Sequence, residues 1–210
     1  QLYTPNIKFE NDERNILIEF QPREENGNVM LDYRTTMNPM INDGETLTFL
    51  ADITEDVTVS KAVTIDGAGK TYTGAMTLNA DLTIKNVNFD GNGFNGYAIT
   101  TRGAQYLTIE GCTAKNYGYG FVQLASATDL TTVKNVTVPN MNYGVKVDYS
   151  NAVVLENVDI TAAVAAVLNS NYGEKTITIK NSDLNILGTW TRDNTTITNY
   201  LFECANTVGK

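Results

Sequence analysis

The chain of 210 residues contains no histidine, and its charge is unbalanced toward acid. The absence of histidine removes the commonest general base and metal ligand of proteins. With 24 acidic against 15 basic side chains, the net charge is −9. That charge opposes nucleic-acid binding, because such binding needs cations to replace phosphate counterions. It also opposes, less strongly, binding to anionic polysaccharides and lipid surfaces.

Cysteine and long apolar runs are equally scarce. Cys112 and Cys204 are the only cysteines, fewer than a small disulfide-stabilised domain uses. No stretch approaches the roughly 18 apolar residues of a membrane-spanning helix, so we expect no membrane insertion. The first residue is Gln1 and not Met, so we expect that an initiator Met or a longer leader preceded it.

What the sequence does contain is a repeat of eight residues. LTIKNVNF at Leu82 returns as LTIEGCTA at Leu107, TTVKNVTV at Thr131, VVLENVDI at Val153 and ITIKNSDL at Ile177. The steps between equivalent residues are 22 to 25 residues, which is the signature of a solenoid. Apolar and polar residues alternate within each copy until an Asn, or Gly in one copy, interrupts, which indicates two short strands joined by a bend.

A second repeat lies between these copies. Short triplets begin at Tyr97, Tyr119, Tyr143 and Ala165, at steps of 22 to 24 residues. Each period therefore holds at least three short strands, which describes one coil of a parallel β-helix. A leucine-rich repeat needs a different leucine spacing, and a propeller blade needs a longer period. We predict an all-β solenoid of about six or seven coils with three short strands per coil.

Two columns of equivalent positions support this stacking. The fourth residue of each copy alternates in charge: Lys85, Glu110, Lys134, Glu156 and Lys180. Coils stack about 4.8 Å apart, where opposite charges contribute about 0.2–1 kcal/mol per pair. The next column holds Asn or Gly: Asn86, Gly111, Asn135, Asn157 and Asn181. We expect these residues to adopt the left-handed backbone of a tight bend, with stacked amides hydrogen-bonded along the column.

The tyrosines and Cys112 have structural interpretations. Cys112 lies where other copies have valine, so we expect core packing. Tyr97, Tyr119 and Tyr143 are predicted to stack ring over ring on the inside or at a corner. An exposed aromatic platform for sugar is the alternative. The richest aromatic stretch makes Tyr117, Tyr119 and Phe121 the candidate glycan-binding residues.

The N-terminal residues 1–45 differ from residues 46–210, which we assign to the solenoid domain. NILIEF and VMLDY flank the turn-like stretch Glu25–Asn28, which predicts a β-hairpin. The segment is either a cap over the open end of the solenoid or an attachment arm. As an arm, it would contact a partner through its large apolar residues. These candidates are Phe9, Ile16, Ile18, Phe20 and Tyr33.

Three sequence motifs resemble those of a known protein family. VTIDGAGKTYTG at Val63, LTIKNVNFDGNG at Leu82 and LTIEGC at Leu107 resemble right-handed parallel β-helix proteins of the pectate-lyase-like superfamily. The resemblance covers about residues 46–200 and implies a right-handed coil. Its members include polysaccharide lyases, glycosidases, bacterial adhesins, and phage tailspikes, fibres and capsid-decorating proteins. The resemblance therefore implies a fold far more than an activity.

The enzymes of that superfamily place acidic and basic residues around calcium, or an Asp trio with a His and an Arg–Lys pair, on one sheet. Neither Arg102 nor Arg192 lies in a repeated column. Asp66 and Asp90 lie in Gly-rich turns, where Asp supports the backbone; calcium binding is the alternative. Asp159 and Asp183 share a column that threonines continue. We expect no catalytic residue, no metal and no cofactor, although two carboxylates alone suffice for some glycosidases.

These observations favour a non-catalytic structural protein. We expect a phage virion component, capsid decoration or fibre, located on the virion surface or otherwise extracellular. Its partner would be a capsid, a tail or another larger assembly, joined through the N-terminal segment. A homotrimer and a surface glycan are further expected partners, the trimer by resemblance only. The alternatives are a bacterial surface adhesin that binds glycan, and a polysaccharide lyase or hydrolase.

Overall fold

The computed structural model describes residues 43–169 and 175–187, together with Asn26, Asn28 and Met37, and elsewhere only the backbone of strands. No helix in this described part of the chain is long and apolar enough to cross a membrane. The strands of the described residues are β1 (Asn6–Glu10), β2 (Asn15–Glu19), β3 (Arg23–Glu25), β4 (Asn28–Leu31), β5 (Glu45–Phe49), β6 (Ile53–Thr54), β7 (Val57–Val59), β8 (Val63–Asp66), β9 (Thr71–Thr73), β10 (Met76–Leu78), β11 (Leu82–Lys85), β12 (Asn88–Asp90), β13 (Tyr97–Thr101), β14 (Tyr106–Glu110), β15 (Thr113–Lys115), β16 (Gly120–Leu124), β17 (Leu130–Val147), β18 (Ala152–Asn169), β19 (Thr176–Lys180), β20 (Asp183–Ile186), β21 (Trp190–Arg192), β22 (Thr195–Ile197) and β23 (Tyr200–Cys204).

The strands stack in parallel on three faces, and each coil contributes one strand to each face. The first face contains β5, β8, β11, β14, residues 130–134 of β17, residues 152–156 of β18, and β19. The second contains β6, β9, β12, β15, the middle parts of β17 and β18, and β20. The third contains β7, β10, β13, β16, the last parts of β17 and β18, and β23. The predicted parallel β-helix, about six turns from β5 to β19, is confirmed.

The predicted charge column is confirmed by the strand register. Lys85 pairs with Glu110, and Glu110 pairs with Lys134. Lys134 continues to Glu156, and Glu156 to Lys180. The column also extends one coil upstream, where Nζ of Lys85 lies 3.4 Å from Oδ2 of Asp66. Opposite charges therefore neighbour one another along the whole column.

The Asn column is confirmed as a row of left-handed bends between the first and second faces. The φ angles are 55° at Asn86, 53° at Asn135, 52° at Asn157, 46° at Asn181 and 65° at Gly111. Asn and Gly adopt this conformation at little steric cost. Each bend turns the chain sharply, so that the residues after it begin the next face.

The core is a continuous interior stack. Ring centroids lie 6.4 Å apart for Phe49 and Tyr72, 5.7 Å for Tyr72 and Phe89, and 5.7 Å for Phe89 and Phe121. Such tilted and edge-to-face contacts are the favoured aromatic geometries. Cys112 is 1% exposed, and burial raises the pKa of its thiol to about 11, so its predicted core role is confirmed.

Coil length is less regular upstream than the repeat indicates. Leu47 pairs with Ile65 and Ile65 with Ile84, at separations of 18 and 19 residues. Shorter turns connect these strands, while the inward position of each strand keeps its apolar residue. All three side chains are fully buried. The early coils therefore have the same strand pairing and core positions as the later ones, although their sequences match the repeat only in part.

The predicted hairpin turn at Glu25–Asn28 is confirmed, but the predicted strands around it are partly wrong. The turn, with φ of 53° at Asn26, joins the short strand β3 to β4. The NILIEF strand pairs instead with β1, with Ile16 opposite Phe9. β4 then pairs in parallel with β5, which adds a rung to the first face. The side chains of the five candidate attachment residues Phe9, Ile16, Ile18, Phe20 and Tyr33 lie outside the described residues.

Candidate functional site on the third face

Two of the three predicted glycan-binding residues are buried. Tyr117 is 3% exposed, and its hydroxyl donates a hydrogen bond of 2.7 Å to the carbonyl of Gly74. Burial raises the pKa of this phenol. Phe121 is fully buried against Phe89. The platform formed by all three side chains is therefore wrong, and only Tyr119, which is 49% exposed, can contact a glycan.

The predicted column of three tyrosines is also wrong, because the residue aligned with Tyr97 and Tyr143 is Gly120, one position after Tyr119. The register pairs Tyr97 with Gly120, and Gly120 with Tyr143. Tyr119 lies in the bend just before β16, so its side chain points outward. The shift places the large Phe121 inside, at the level of two small residues, Ala98 and Gly144. Alternation of large and small residues fills the interior without overlap.

The bend and the register bring tyrosines together at the third face, where the exposed Tyr119 lies beside Tyr97, which is only 9% exposed. Ring centroids of Tyr97 and Tyr119 lie 5.9 Å apart at an angle of 60°. A Cβ atom on Gly120 would lie 2.7 Å from Cε1 of Tyr97, so glycine lets this ring lie over the strand. Burial raises the pKa of Tyr97, and the nearby Tyr143, Asp148 and Tyr119 raise it further.

Polar side chains lie beside these rings. Nε2 of Gln123 donates a hydrogen bond of 3.0 Å to Oδ2 of Asp148. Nζ of Lys146 lies 3.7 Å from the same oxygen. Gln123 and Lys146 occupy successive rungs of one outward column that continues upstream through Thr100, Thr77 and Thr58. We call Tyr97, Tyr119, Gln123, Tyr143, Lys146 and Asp148 the third-face patch.

The third-face patch combines ring surface with hydrogen-bond donors and acceptors. Such a combination suits a sugar, whose apolar face packs on an aromatic ring while its hydroxyls bond to amide, carboxylate and ammonium groups. The repeat letters did not indicate Gln123, Lys146 and Asp148. Gln123 and Lys146 could have been found from the outward column of β13, β16 and β17, which becomes visible only with the correct register, and Asp148 follows two residues after Lys146.

The Gly-rich turns at Asp66 and Asp90 are built alike, and the predicted structural role of both residues is confirmed. Oδ1 of Asp66 accepts hydrogen bonds from the Ala68 amide (2.9 Å) and from Asn86 Nδ2 (3.2 Å). Burial opposes ionisation of Asp66, but these bonds and the charge of Lys85 hold its pKa below the usual value.

Asp90 accepts corresponding bonds from the Asn92 amide (3.0 Å) and from Asn116 Nδ2 (2.8 Å). The Asn116 bond contributes most to lowering the pKa of Asp90, and Lys115, 3.6 Å away, adds to it. Residues 43–169 and 175–187 contain no group of three or more His, Cys, Asp or Glu side chains that could hold a metal ion. Asp159 and Asp183 do pair on successive rungs, on the second face and away from the third-face patch.

Comparison with known proteins gives one match. A family model described as "Right handed beta helix region" matches residues 73–208, which is more than half of the chain. The match begins at the end of β9 and extends through the later coils. The searches of curated proteins and of solved structures each found no match.

Proposed function

Because the chain belongs to the family of right-handed β-helix proteins, we propose that it is a non-catalytic structural protein displayed on a larger assembly. The observation that carries this proposal is the bonding of outward side chains between coils. Nδ2 of Asn157 bonds to Oδ1 of Asn135 at 2.6 Å, and the Thr113 hydroxyl bonds to Oδ1 of Asn88 at 2.9 Å. Together with the alternating charge column, these bonds join each coil to the next and favour a rigid rod.

The proposed assembly is a phage virion, with the protein as capsid decoration or part of a fibre on the virion surface. Residues 1–45 would form the attachment segment. Support comes from the pairing of β4 with β5, because a segment joined to the first coil would hold the rod firmly on its partner. The concentration of acidic residues in this segment suits a basic or polar partner surface.

Two shortened chains test this attachment. Removal of residues 1–22 leaves β3 and β4 on β5, whereas removal of residues 1–45 takes this hairpin away. We expect the first deletion to keep the melting temperature and to abolish co-sedimentation with particles from the native source. The second should also lower the melting temperature, because β5 loses its neighbour. A full-length chain that never co-sediments with particles would contradict the proposal.

Incubation with polysaccharides tests the non-catalytic assignment separately. We expect the full chain to release no new reducing or unsaturated ends from a broad polysaccharide panel, with or without Ca²⁺. Cleavage of any member would support the lyase or hydrolase alternative instead.

The third-face patch favours a second candidate function, glycan binding of the kind that bacterial adhesins perform. Tyr119 supplies the exposed ring, and Gln123 and Asp148 supply hydrogen bonds. Calorimetry with a monovalent oligosaccharide chosen from a glycan array tests it. We expect Tyr119→Ala to weaken binding about tenfold. Tyr106→Ala is the matched control, because Tyr106 is 50% exposed on the first face. Equal losses in both variants, or an array without signal, would remove this candidate.

A further inference from the structure

The first face presents two large apolar side chains to solvent on neighbouring rungs. Tyr106 is 50% exposed and Leu130 is 38% exposed, and the two residues are paired in register. Further rungs of the same column carry the smaller Ala152 and Thr176. A single exposed apolar residue is ordinary, but two adjacent ones on one face of a sheet form a patch.

The charge column of this face is centred on the same two rungs. It runs over six rungs: Asp66, Lys85, Glu110, Lys134, Glu156 and Lys180. Its midpoint lies between Glu110 and Lys134. Glu110 shares β14 with Tyr106, and Lys134 shares β17 with Leu130. Pairing within one chain explains the alternation of charge, but it does not explain why the apolar residues occupy the central rungs.

Both features fit a two-fold axis that runs parallel to the strands, between β14 and β17. Rotation about this axis places a second copy face to face with the first and reverses the order of the rungs. Each column then faces itself in reverse. Tyr106 would meet Leu130 of the second copy, and Leu130 would meet its Tyr106.

The charges become complementary under the same rotation. Glu110 would face Lys134 of the second copy, and Lys85 would face its Glu156. Asp66, at the upstream end, would face Lys180. A face-to-face pair with parallel solenoid axes, related by a two-fold axis along the charge column, would instead place each charge opposite the same charge, which is unfavourable. The alternation thus distinguishes the antiparallel from the parallel arrangement.

We propose that the first face is an isologous interface between two copies of this chain, packed with antiparallel solenoid axes. Six rungs at about 4.8 Å give a contact roughly 30 Å long and about 15 Å wide, which buries roughly 1,000 Å² in total. This area is at the lower limit for a stable complex. The dimer therefore forms in a concentration-dependent manner and weakens as salt screens its charges.

Sedimentation equilibrium over a concentration series tests the dimer. We expect Leu130→Thr to raise the dissociation constant at least about tenfold, because it truncates both central contacts of the two-fold interface. Threonine preserves the fold, since Thr176 occupies the same column. Leu187→Thr is the matched control and should leave association unchanged, because Leu187 is 44% exposed just after β20, on another face. A monomer at every concentration, or equal effects of the two variants, would overturn the proposal.

Charge exchange tests which residues face each other. Glu110→Lys and Lys134→Glu should each weaken self-association, because like charges then meet across the interface. A mixture of the two variants should form a heterodimer, since each altered charge then meets its opposite. Melting temperatures of both variants show whether they remain folded. A mixture that associates no better than the separate variants would contradict the arrangement.

Cysteine cross-linking tests the antiparallel order. Thr108 would face Thr132 of the second copy, so Thr108→Cys and Thr132→Cys proteins should cross-link when mixed and not alone. The unaltered chain gives the background from Cys112 and Cys204. Self-cross-linking of each variant would indicate parallel axes, and a trimer would equally overturn the proposed interface.

Discussion

Nδ2 of Asn157 donates a hydrogen bond of 2.6 Å to Oδ1 of Asn135, the equivalent residue one coil earlier. Both residues have left-handed φ angles, 52° and 53°. Asn therefore has two structural roles at this bend: it tolerates the left-handed backbone, and its amide forms a hydrogen bond between adjacent coils.

Two substitutions at Asn157 separate these roles. Asn157→Gly removes the amide but keeps the backbone freedom, and should cost about 0.5–1.5 kcal/mol of unfolding free energy. Asn157→Ala also removes the amide, but it keeps a Cβ atom in the left-handed region without the local hydrogen bonds that let Asn adopt it, which costs roughly a further 1–2 kcal/mol relative to Asn157→Gly. Chemical denaturation of both variants measures the difference. Equal destabilisation by Gly and Ala would show that backbone strain contributes nothing at this bend.

The interior position of Phe121 gives a second prediction. Phe121→Ala should destabilise the chain by about 3–5 kcal/mol, because it leaves a cavity beside Phe89. Phe121→Leu should cost clearly less, since it refills most of that space. Denaturation midpoints measure both effects. Neither variant should alter sugar binding once folded, so a selective loss of glycan affinity in Phe121→Leu would contradict the interior assignment.

Acid should destabilise the Gly-rich turns. The pKa of Asp90 is lowered by the Asn116 bond, the Asn92 bond and Lys115, so its ionised form stabilises the fold. That stabilisation is fully present above the unfolded pKa of about 4 and is lost as the pH falls through the lower folded pKa.

Melting temperatures between pH 6 and about pH 2 measure this loss. Asp90→Asn keeps an oxygen that can accept the same bonds but removes the charge. We expect its melting temperature to depend less steeply on pH than that of the unaltered chain. Identical pH profiles for the two chains would contradict the assigned role of the Asp90 carboxylate.

Gly120 gives a prediction about the third-face patch. A Cβ atom there would lie 2.5 Å from the carbonyl oxygen of Tyr143 and 2.7 Å from Tyr97 Cε1. Gly120→Ala should therefore destabilise the chain by about 1–3 kcal/mol and move the Tyr97 ring. Denaturation and tyrosine fluorescence measure the two effects. Gly69→Ala is a control, since its Cβ would meet nothing within 4 Å and only its φ of 77° is unfavourable. A smaller effect at Gly120 than at Gly69 would contradict the close packing.

The columns of the first face could be predicted from the sequence because each copy of the repeat has a charged residue next to an Asn or Gly. This two-residue motif aligns the copies in only one register, as at Lys85–Asn86 and Lys134–Asn135. The period of two then assigns the inward residues. The fold class follows from these columns alone.

The register of the third face could not be predicted from the sequence motifs of its strands. Tyr-Gly occurs at Tyr119–Gly120 and at Tyr143–Gly144, which suggests that the tyrosines are equivalent. The structure instead pairs Gly120 with Tyr143, because Phe121 occupies the interior against Phe89. The volume of the Phe121 side chain determines the register. The Tyr-Gly motifs do not show which neighbouring side chain fills the interior. The patch residues Gln123, Lys146 and Asp148 remained hidden for the same reason.

A crystal structure that resolves side chains tests most directly the claim that successive coils bond to one another in register. It should show Lys85, Glu110, Lys134, Glu156 and Lys180 in one line, with adjacent Cα atoms about 4.8 Å apart. Any of these residues displaced by a rung, or placed on another face, would contradict the stacking and the scaffold role inferred from it.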